Sequence, residues 1–356
     1  MNRRHHTRRF LPTLLALSAV VSACGNGGAE RPADSPRQPG QLTGTLRLGY
    51  LPNLTHAPAI IGVDRGLFQA SLGQGVELEL HTFSSGIEVI EALFSGAIDA
   101  SFVGPNPTIN GYAQSEGQAL RIVAGSTSGG AALVVRDSID RVEDLAGTTL
   151  ATPALGNTQD VALRAWLAGQ GFVTTTTGGG DVSVRPQENA DTLTTFIDGS
   201  IDGAWAPEPW ASRLILEGQG HPLLDEREIW ADGQFITTNL IVGTDYLERQ
   251  PAIVRALLSG LLDSLQFIQS QPAEAQAVTN SGLEARTGKR LGDKIMTRAW
   301  GNLSFTYDPL ASSLAGSTAN AIAVGLLKPV DLSGIYDLGI LNELLAQRGL
   351  KEVTAS

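Results

Sequence analysis

Short polar segments stand directly before several predicted helices, and they are the residues in this chain best suited to binding a ligand. They are residues 52–56, 84–86, 104–107 and 156–159, and a fifth polar segment, 126–130, lies where we expect two lobes of the fold to join. The first turn of a helix has backbone N–H groups without intrahelical partners and carries the positive end of the helix dipole, so it binds anions readily. None of these segments contains Lys or Arg. We therefore predict that backbone N–H groups hold an anion, together with the side chains of Ser85, Asn106, Asn157 and Thr158.

For any one of these segments, ordinary helix capping is the simpler explanation. Their repetition along the chain favours a shared cleft. In an open α/β sheet such loops gather at the carboxyl ends of the strands, where ligands bind.

Motifs of known catalytic and metal sites are missing from the sequence. It contains no phosphate-binding P-loop, no Gly-x-Ser-x-Gly elbow and no His-Glu-x-x-His pair. His56, His81 and His221 lie in three segments without the spacing of metal ligands, and each is interpreted as a surface or structurally satisfied histidine. The only cysteine, Cys24, leaves the body without a thiol for catalysis or disulfides. We expect a binding protein that is not an enzyme and that has no cofactor and no metal.

Short strands alternate with helices along the body of the chain. The predicted strands are 45–50, 76–83, 100–103, 120–124, 132–135, 149–152, 182–185 and 235–242. The predicted helices are 56–68, 86–95, 107–115, 158–168, 190–198, 251–271, 308–327 and 334–347. This alternation predicts an α/β fold with mostly parallel sheets that are covered by helices.

One pattern occurs twice: a helix, then Gly-x-Ile-Asp, then a strand, then x-Pro-x-Pro. The first copy begins at Gly96 and the second at Gly199. The repetition indicates two similar lobes that face one another, with the ligand cleft between them. We place the first part of lobe 1 at 45–130, lobe 2 at 131–234, and the return to lobe 1 with C-terminal helices at 235–356.

The N-terminus has the composition of an export signal. Residues 1–10 carry four arginines and no acid, an apolar run follows, and Val21-Ser22-Ala23-Cys24 resembles a bacterial lipobox. We expect a signal peptide at 1–23, and at 24–44 an acylated Cys24 followed by a flexible tether rich in Gly, Pro and Ser. The protein would then be extracytoplasmic and anchored by lipid to the bacterial membrane. An ordinary signal with a chance cysteine is the alternative, and Arg8-Arg9 leaves the choice between the general and the twin-arginine export route open.

The charge of the chain excludes some partners. The net charge is −11 for the full sequence, and about −15 without the signal peptide, which carries four arginines and no acid. A strongly acidic body argues against nucleic acid or anionic lipid as a partner. An anionic ligand must therefore be captured by local groups. From the length of the chain, over 300 residues without the signal peptide, we expect a monomer with a sizeable core.

The order of the short motifs resembles the solute-binding proteins of aliphatic-sulfonate, taurine and nitrate importers of the ATP-binding-cassette (ABC) class. The resemblance covers about residues 46–350. It rests on motifs that are weak alone and specific in this order: Leu46-Arg47-Leu48-Gly49-Tyr50, Phe83-Ser84-Ser85-Gly86, Ser95-Gly96-Ala97-Ile98-Asp99, Val103-Gly104-Pro105-Asn106-Pro107, Asp144-Leu145-Ala146-Gly147, Gly156-Asn157-Thr158-Gln159-Asp160 and Pro207-Glu208-Pro209-Trp210.

The resemblance implies a two-lobed fold like that of the type II periplasmic binding proteins, which closes over a small anionic ligand and delivers it to a permease and an ATPase. By position, the ligand contacts would be Asn53, Ser85, Gly86, Asn106, Asn157, Thr158, Glu208 and Trp210. Relatives often have serines after the glycine at Gly156, whereas this chain has Asn157-Thr158-Gln159. The substrate is therefore open: a sulfonate is the default, and a sulfate ester, nitrate or another anion is the alternative.

Two carboxylates and one tryptophan near the expected anion site have two interpretations each. Asp160 and Glu208 would answer a cationic end of the ligand or pair with Arg164 and Arg213; we favour structural pairing for Asp160 and ligand contact for Glu208. Trp210 would stack on the organic body of a ligand or belong to the core.

Two rival classes share features with this chain. The pyrimidine synthases of thiamine biosynthesis are similar overall, but the reaction of that family draws on a histidine and a cysteine-rich segment, and the body here has no cysteine. A metal-binding lipoprotein is disfavoured by the scattered histidines.

Overall fold

Two β-sheets covered by helices organise the part of the chain that this computed structural model describes, residues 41–355. The predicted signal peptide, Cys24 and most of the tether lie outside the described residues. The strands are β1 Gly44–Tyr50, β2 Val76–Thr82, β3 Ala100–Val103, β4 Leu120–Gly129, β5 Ala131–Val135, β6 Thr149–Thr152, β7 Ser183–Pro186, β8 Gly203–Pro207, β9 His221–Asp225, β10 Ile236–Gly243 and β11 Leu303–Phe305. We call the parts built on the two sheets the first and the second lobe.

The helices connect and cover these strands. They are α1 Ala57–Asp64, α2 Leu67–Leu72, α3 Gly86–Phe94, α4 Pro105–Gln114, α5 Thr158–Gly169, α6 Asn189–Asp198, α7 Trp210–Leu216, α8 Thr244–Arg249, α9 Pro251–Ser270, α10 Pro272–Thr287, α11 Asp293–Gly301, α12 Ala311–Ala323 and α13 Gly339–Gln347.

The two sheets have the same strand arrangement. The first has the order β2-β1-β3-β10-β4, with β11 added beside β4, and the second has the order β7-β6-β8-β5-β9. Leaving β11 aside, each sheet has four strands that run in one direction and one strand, β10 or β5, that runs antiparallel between two neighbours. The short strand β11 is also antiparallel to β4. The predicted α/β class with mostly parallel strands is confirmed, and β10 and β5 each enter after the chain leaves the other sheet.

The repeated Gly-x-Ile-Asp pattern has one structural role in both lobes. The Asp99 carboxylate accepts a hydrogen bond from the backbone N–H of Arg47 in β1, and the Asp202 carboxylate accepts one from Thr149 in β6, both at 2.8 Å. Each aspartate thus joins the beginning of β3 or β8 to the neighbouring parallel strand. The prediction that these segments are equivalent parts of two similar lobes is confirmed.

Some predicted helices differ from those in the structure. The helix predicted at 56–68 was expected to stop near Gly66; α1 ends there, because Gly66 has a left-handed φ of 67°, and a second helix, α2, follows directly. The segment 308–327 is helical only over α12. Among the described residues, α9 alone has the length and hydropathy of a membrane span, and 61% of that window is buried inside the protein, as expected of a core helix.

The second lobe buries one carboxyl group between two tryptophans. Trp205 Nε1 donates to Glu226 Oε2 at 2.7 Å, and Trp230 Nε1 donates to Oε1 at 3.2 Å. Burial raises the pKa of Glu226 to about 7, although the two indole donors act in the opposite direction. Glu226 therefore retains a proton in the folded state at a pH where the unfolded chain has released it.

We expect this group to make folding stability depend on pH. Its contribution is full below pH 4.5, where both states are protonated, and is lost as the pH rises through about 7. The difference in unfolding free energy between the parent and Glu226→Gln should fall by roughly 2–3 kcal/mol between pH 5 and pH 8. Urea unfolding at several pH values measures it, and the subtraction removes all other titrating groups. A difference that does not change with pH would contradict the raised pKa.

Candidate ligand-binding cleft

A cavity of about 360 Å³ lies between the two lobes. The first lobe lines it mainly with residues that follow β1, β2 and β3: Leu51, Pro52, Asn53, Thr55, His56, Phe83, Ser84, Ser85, Gly86 and Gly104. The second lobe lines it with residues that end or follow β6, β7 and β8: Pro153, Ala154, Asn157, Thr158, Gln159, Glu188, Asn189, Ala190, Pro207 and Trp210. Thr237 and Thr287 complete it. Since these strands are parallel within each lobe, their carboxyl ends bring the loops together at one edge.

Most of the predicted contacts reach this cavity. Six of the eight line it: Asn53, Ser85, Gly86, Asn157, Thr158 and Trp210. They come from both lobes, so a ligand held by all of them would be enclosed between the lobes. The two others, Asn106 and Glu208, lie elsewhere.

Glu208 is a correction to the sequence-based interpretation. It is 1% exposed and does not line the cavity. Its Oε1 accepts from Asn302 Nδ2 at 2.7 Å and Ser212 Oγ at 2.9 Å, and its Oε2 accepts from Ser212 N at 3.1 Å. Arg213, the other partner considered, bonds Glu217 instead. Burial raises the pKa of Glu208, and its carboxyl group joins the start of α7 to the first lobe.

Asn106 is the second correction. It is 2% exposed in the first turn of α4 and is not among the residues that line the cavity. Gly104, two residues earlier, lines the cavity in its place. Within this segment Gly104 lines the cavity, whereas Asn106 does not.

Thr158 has a hydroxyl group that is free to bind a ligand. Its Oγ1 is fully buried and has no hydrogen-bond partner within residues 41–355. A Cβ atom added to Gly104 of the first lobe would lie 2.9 Å from this oxygen, so the lobes approach closely here. Thr158 is also the first residue of α5, and in the described part of the chain the Asn157 side chain makes no capping hydrogen bond to that helix. Asp160 N and Val161 N both donate to Asn157 O, whereas Thr158 N and Gln159 N have no partner within residues 41–355 and are available to an anion.

A buried ion pair holds the loop that presents Thr158. Asp160 and Arg164 are 0% and 2% exposed, with 3.0 Å between Asp160 Oδ2 and Arg164 Nε. The same carboxylate accepts from Gly156 N at 2.9 Å and from Thr152 Oγ1 at 2.8 Å. The structural pairing favoured for Asp160 is confirmed, and its further bonds connect α5 to both the strand and the loop that precede it.

Trp210 lies between the core of the second lobe and the cavity. It is partly buried against the apolar cluster of the second lobe and also lines the cavity. The guanidinium carbon of Arg213 lies 4.6 Å from its ring centroid. Stacking of Arg213 holds the ring in place and lets it present apolar surface to the cavity.

His56 lines the cavity, although the sequence indicated only a satisfied histidine. Its Nδ1 accepts a hydrogen bond from Leu51 N at 3.4 Å, which assigns the ring proton to Nε2. Burial lowers the pKa of His56 to about 3. The residue therefore supplies a neutral N–H donor. Its position at the end of the polar segment 52–56 was the signal that could have identified it.

Glu188 was also missed, and the internal repeat could have identified it. Aligning Gly96 with Gly199 places Glu188 opposite Ser85, and both are the residues that precede the equivalent helices α3 and α6. Both line the cavity. Ser85 was predicted because its type suits an anion, whereas a glutamate at the same position did not fit that expectation.

Two similar α/β lobes that enclose a cavity between facing strand ends define a periplasmic-binding-protein fold. The chain belongs to the NMT1-like family, whose sequence profile matches residues 41–281.

Two proteins of similar sequence are named for the ligands that they bind. The chain is 27% identical over 255 residues to the taurine-binding periplasmic protein of Escherichia coli (strain K12), covering 70% of this chain and 75% of the relative. It is 26% identical over 306 residues to the bicarbonate-binding protein CmpA of Synechococcus elongatus, covering 76% of this chain and 66% of the relative.

Solved structures share the fold. The alkanesulfonate-binding protein SsuA from Xanthomonas axonopodis pv. citri, bound to MOPS, superimposes with a TM-score of 0.69 at 19% identity, covering 83% of this chain and 98% of that one. The periplasmic nitrate-binding protein NrtA from Synechocystis PCC 6803 gives 0.71 at 17% identity, with coverages of 86% and 89%. At these identities the likeness shows the fold alone.

Proposed function

We propose that this protein is the extracytoplasmic substrate-binding lipoprotein of an ABC importer. It binds a small anion of the sulfonate type as a monomer, closes over it, and delivers it to the permease and ATPase subunits without changing it chemically. The taurine- and bicarbonate-binding relatives support the class of function.

The observation that carries this proposal is the unpartnered hydroxyl of Thr158. A buried polar group without a partner costs free energy, roughly 1–3 kcal/mol, unless a ligand satisfies it. It lies beside the first turn of α5, in a cavity that His56 also lines with a neutral donor. Neutral, pre-organised donors bind a single negative charge without the desolvation that a buried counter-ion requires.

The size and lining of the cavity support an organic anion over a very small one. Nitrate has four heavy atoms and fills only a fraction of about 360 Å³, given that one water occupies about 30 Å³ of the liquid. Leu51, Phe83 and Trp210 add apolar surface, which suits the carbon chain of a sulfonate.

Calorimetry of the mature protein tests the proposal directly. An alkanesulfonate should bind more tightly than nitrate or bicarbonate, and the bound sulfonate should be recovered unchanged after prolonged incubation. Binding of nitrate or bicarbonate with equal or higher affinity would contradict the sulfonate assignment. Chemical conversion of the ligand would contradict the binding-protein class.

Membrane attachment is tested by Cys24→Ser. Without the cysteine there is no thiol to acylate, so we expect the variant to be found in the medium or periplasm and not in the membrane fraction, with ligand affinity unchanged. Fractionation after a high-salt wash, with calorimetry of the released protein, measures both. A variant that stays in the washed membranes would contradict lipid anchoring through this residue.

A further inference from the structure

Glu188 is the only residue lining the cavity that bears a formal charge, within the described part of the chain. The other lining residues are neutral, including His56, whose pKa is lowered to about 3 by burial. The cavity thus offers a hydrogen-bond donor for an anion at one place and a negative charge at another. Thr158 offers a deeply buried hydroxyl donor, and Glu188, which is exposed, offers a carboxylate near solvent.

The Glu188 carboxylate contacts Ser84 of the first lobe, but the Ser84 hydroxyl group also contacts Glu88. Ser84 Oγ lies 3.3 Å from Glu188 Oε1 and 2.6 Å from Glu88 Oε1, and Ser84 N also donates to Glu88 at 3.0 Å. A hydroxyl group has one hydrogen, and the shorter contact with Glu88 takes it. No other hydrogen bond or ion pair holds the Glu188 carboxylate within residues 41–355, so it is available to a ligand.

We propose that Glu188 sets the ligand specificity of this cleft. It favours an anion whose far end carries an ammonium or another N–H donor, and it disfavours a ligand with a second negative charge. This inference rests on the proposed function, since it requires the anionic head of the ligand to occupy the neutral donors at Thr158. In this proposal the charged head lies at Thr158 and the other end of a short chain extends toward the exposed Glu188 carboxylate, which lines the same cavity.

The size of the effect follows from the exposure of Glu188. Solvent weakens a charge–charge interaction at an exposed position, so we expect affinities to differ by up to about fivefold between successive ligands in the order below. The order of affinity should be an aminoalkanesulfonate, then the alkanesulfonate of equal length, then the disulfonate.

Calorimetry with 3-aminopropanesulfonate, propanesulfonate and 1,3-propanedisulfonate tests the proposal on three proteins: the parent, Glu188→Gln and Glu88→Gln. We expect Glu188→Gln to bring the three affinities within about twofold of one another, through weaker binding of the amine and tighter binding of the disulfonate. Glu88→Gln is the matched control, because Glu88 contacts Ser84 but does not line the cavity, and it should keep the parent order.

The outcomes separate the two proposals. If the parent binds these sulfonates and Glu188→Gln keeps the parent ratios, the role of Glu188 is overturned and the sulfonate function stands. If the parent binds none of the three, the proposed function fails and the role of Glu188 fails with it. Levelled ratios in Glu188→Gln and parent ratios in Glu88→Gln support the proposal.

Discussion

Thr158→Val should lower ligand affinity by about ten- to a hundredfold and leave the empty protein at least as stable as the parent. A hydrogen bond to a charged group contributes about 1.5–3 kcal/mol, and valine keeps the shape of threonine without the hydroxyl. In the empty protein that hydroxyl is buried without a partner among the described residues. Replacing it with a methyl group therefore removes no bond there. Calorimetry with an alkanesulfonate and thermal unfolding without ligand measure the two effects.

Asn106→Ala is the informative comparison for this prediction. The sequence placed Asn106 and Thr158 in the same role, but only Thr158 lines the cavity. We expect Asn106→Ala to change affinity much less than Thr158→Val. Equal losses of affinity in the two variants would contradict the proposed position of the anion at Thr158. An unchanged affinity in Thr158→Val would place the anion elsewhere in the cleft.

Arg164→Met should destabilise the protein by about 3–5 kcal/mol, because it leaves the Asp160 carboxylate buried without a counter-charge. Both side chains are almost completely buried, and Arg164 also donates to Thr175 O at 2.8 Å. Urea unfolding measures the loss as a shift of the midpoint at constant slope. We also expect weaker ligand binding, since Asp160 holds the N–H group of Gly156 in the loop before Thr158.

Two further variants control this experiment. Arg141→Met breaks an ion pair in which the arginine is 72% exposed, and exposed pairs contribute at most about 1 kcal/mol. The double variant Asp160→Asn with Arg164→Met removes both charges and should recover part of the stability lost in Arg164→Met. If Arg164→Met and Arg141→Met unfold at the same urea concentration, the Asp160 carboxylate does not need Arg164 as its counter-charge.

Much of the architecture followed from local patterns. Alternating strand and helix signals predicted the α/β class, because the periodicity of apolar residues reports which face of each element is buried. The two Gly-x-Ile-Asp segments predicted equivalent units, and Asp99 and Asp202 make the same bond in both lobes. Gly66 indicated the end of α1, but not that α2 follows it, since a left-handed glycine either ends a helix or separates two, depending on what packs around it.

The sequence by itself determined which segments follow a strand, and this brought four polar segments, 52–56, 84–86, 104–107 and 156–159, to the cavity. The fifth, 126–130, lies mostly within β4 and does not line the cavity. The direction of each side chain within those loops was decided by the tertiary structure. Glu208 turns to Ser212 and Asn302, a residue 94 positions away in the other lobe, while His56 and Glu188 line the cavity. The physical reason is that a polar side chain in a loop takes the partner that folding brings to it, and across a cleft that partner is distant in sequence.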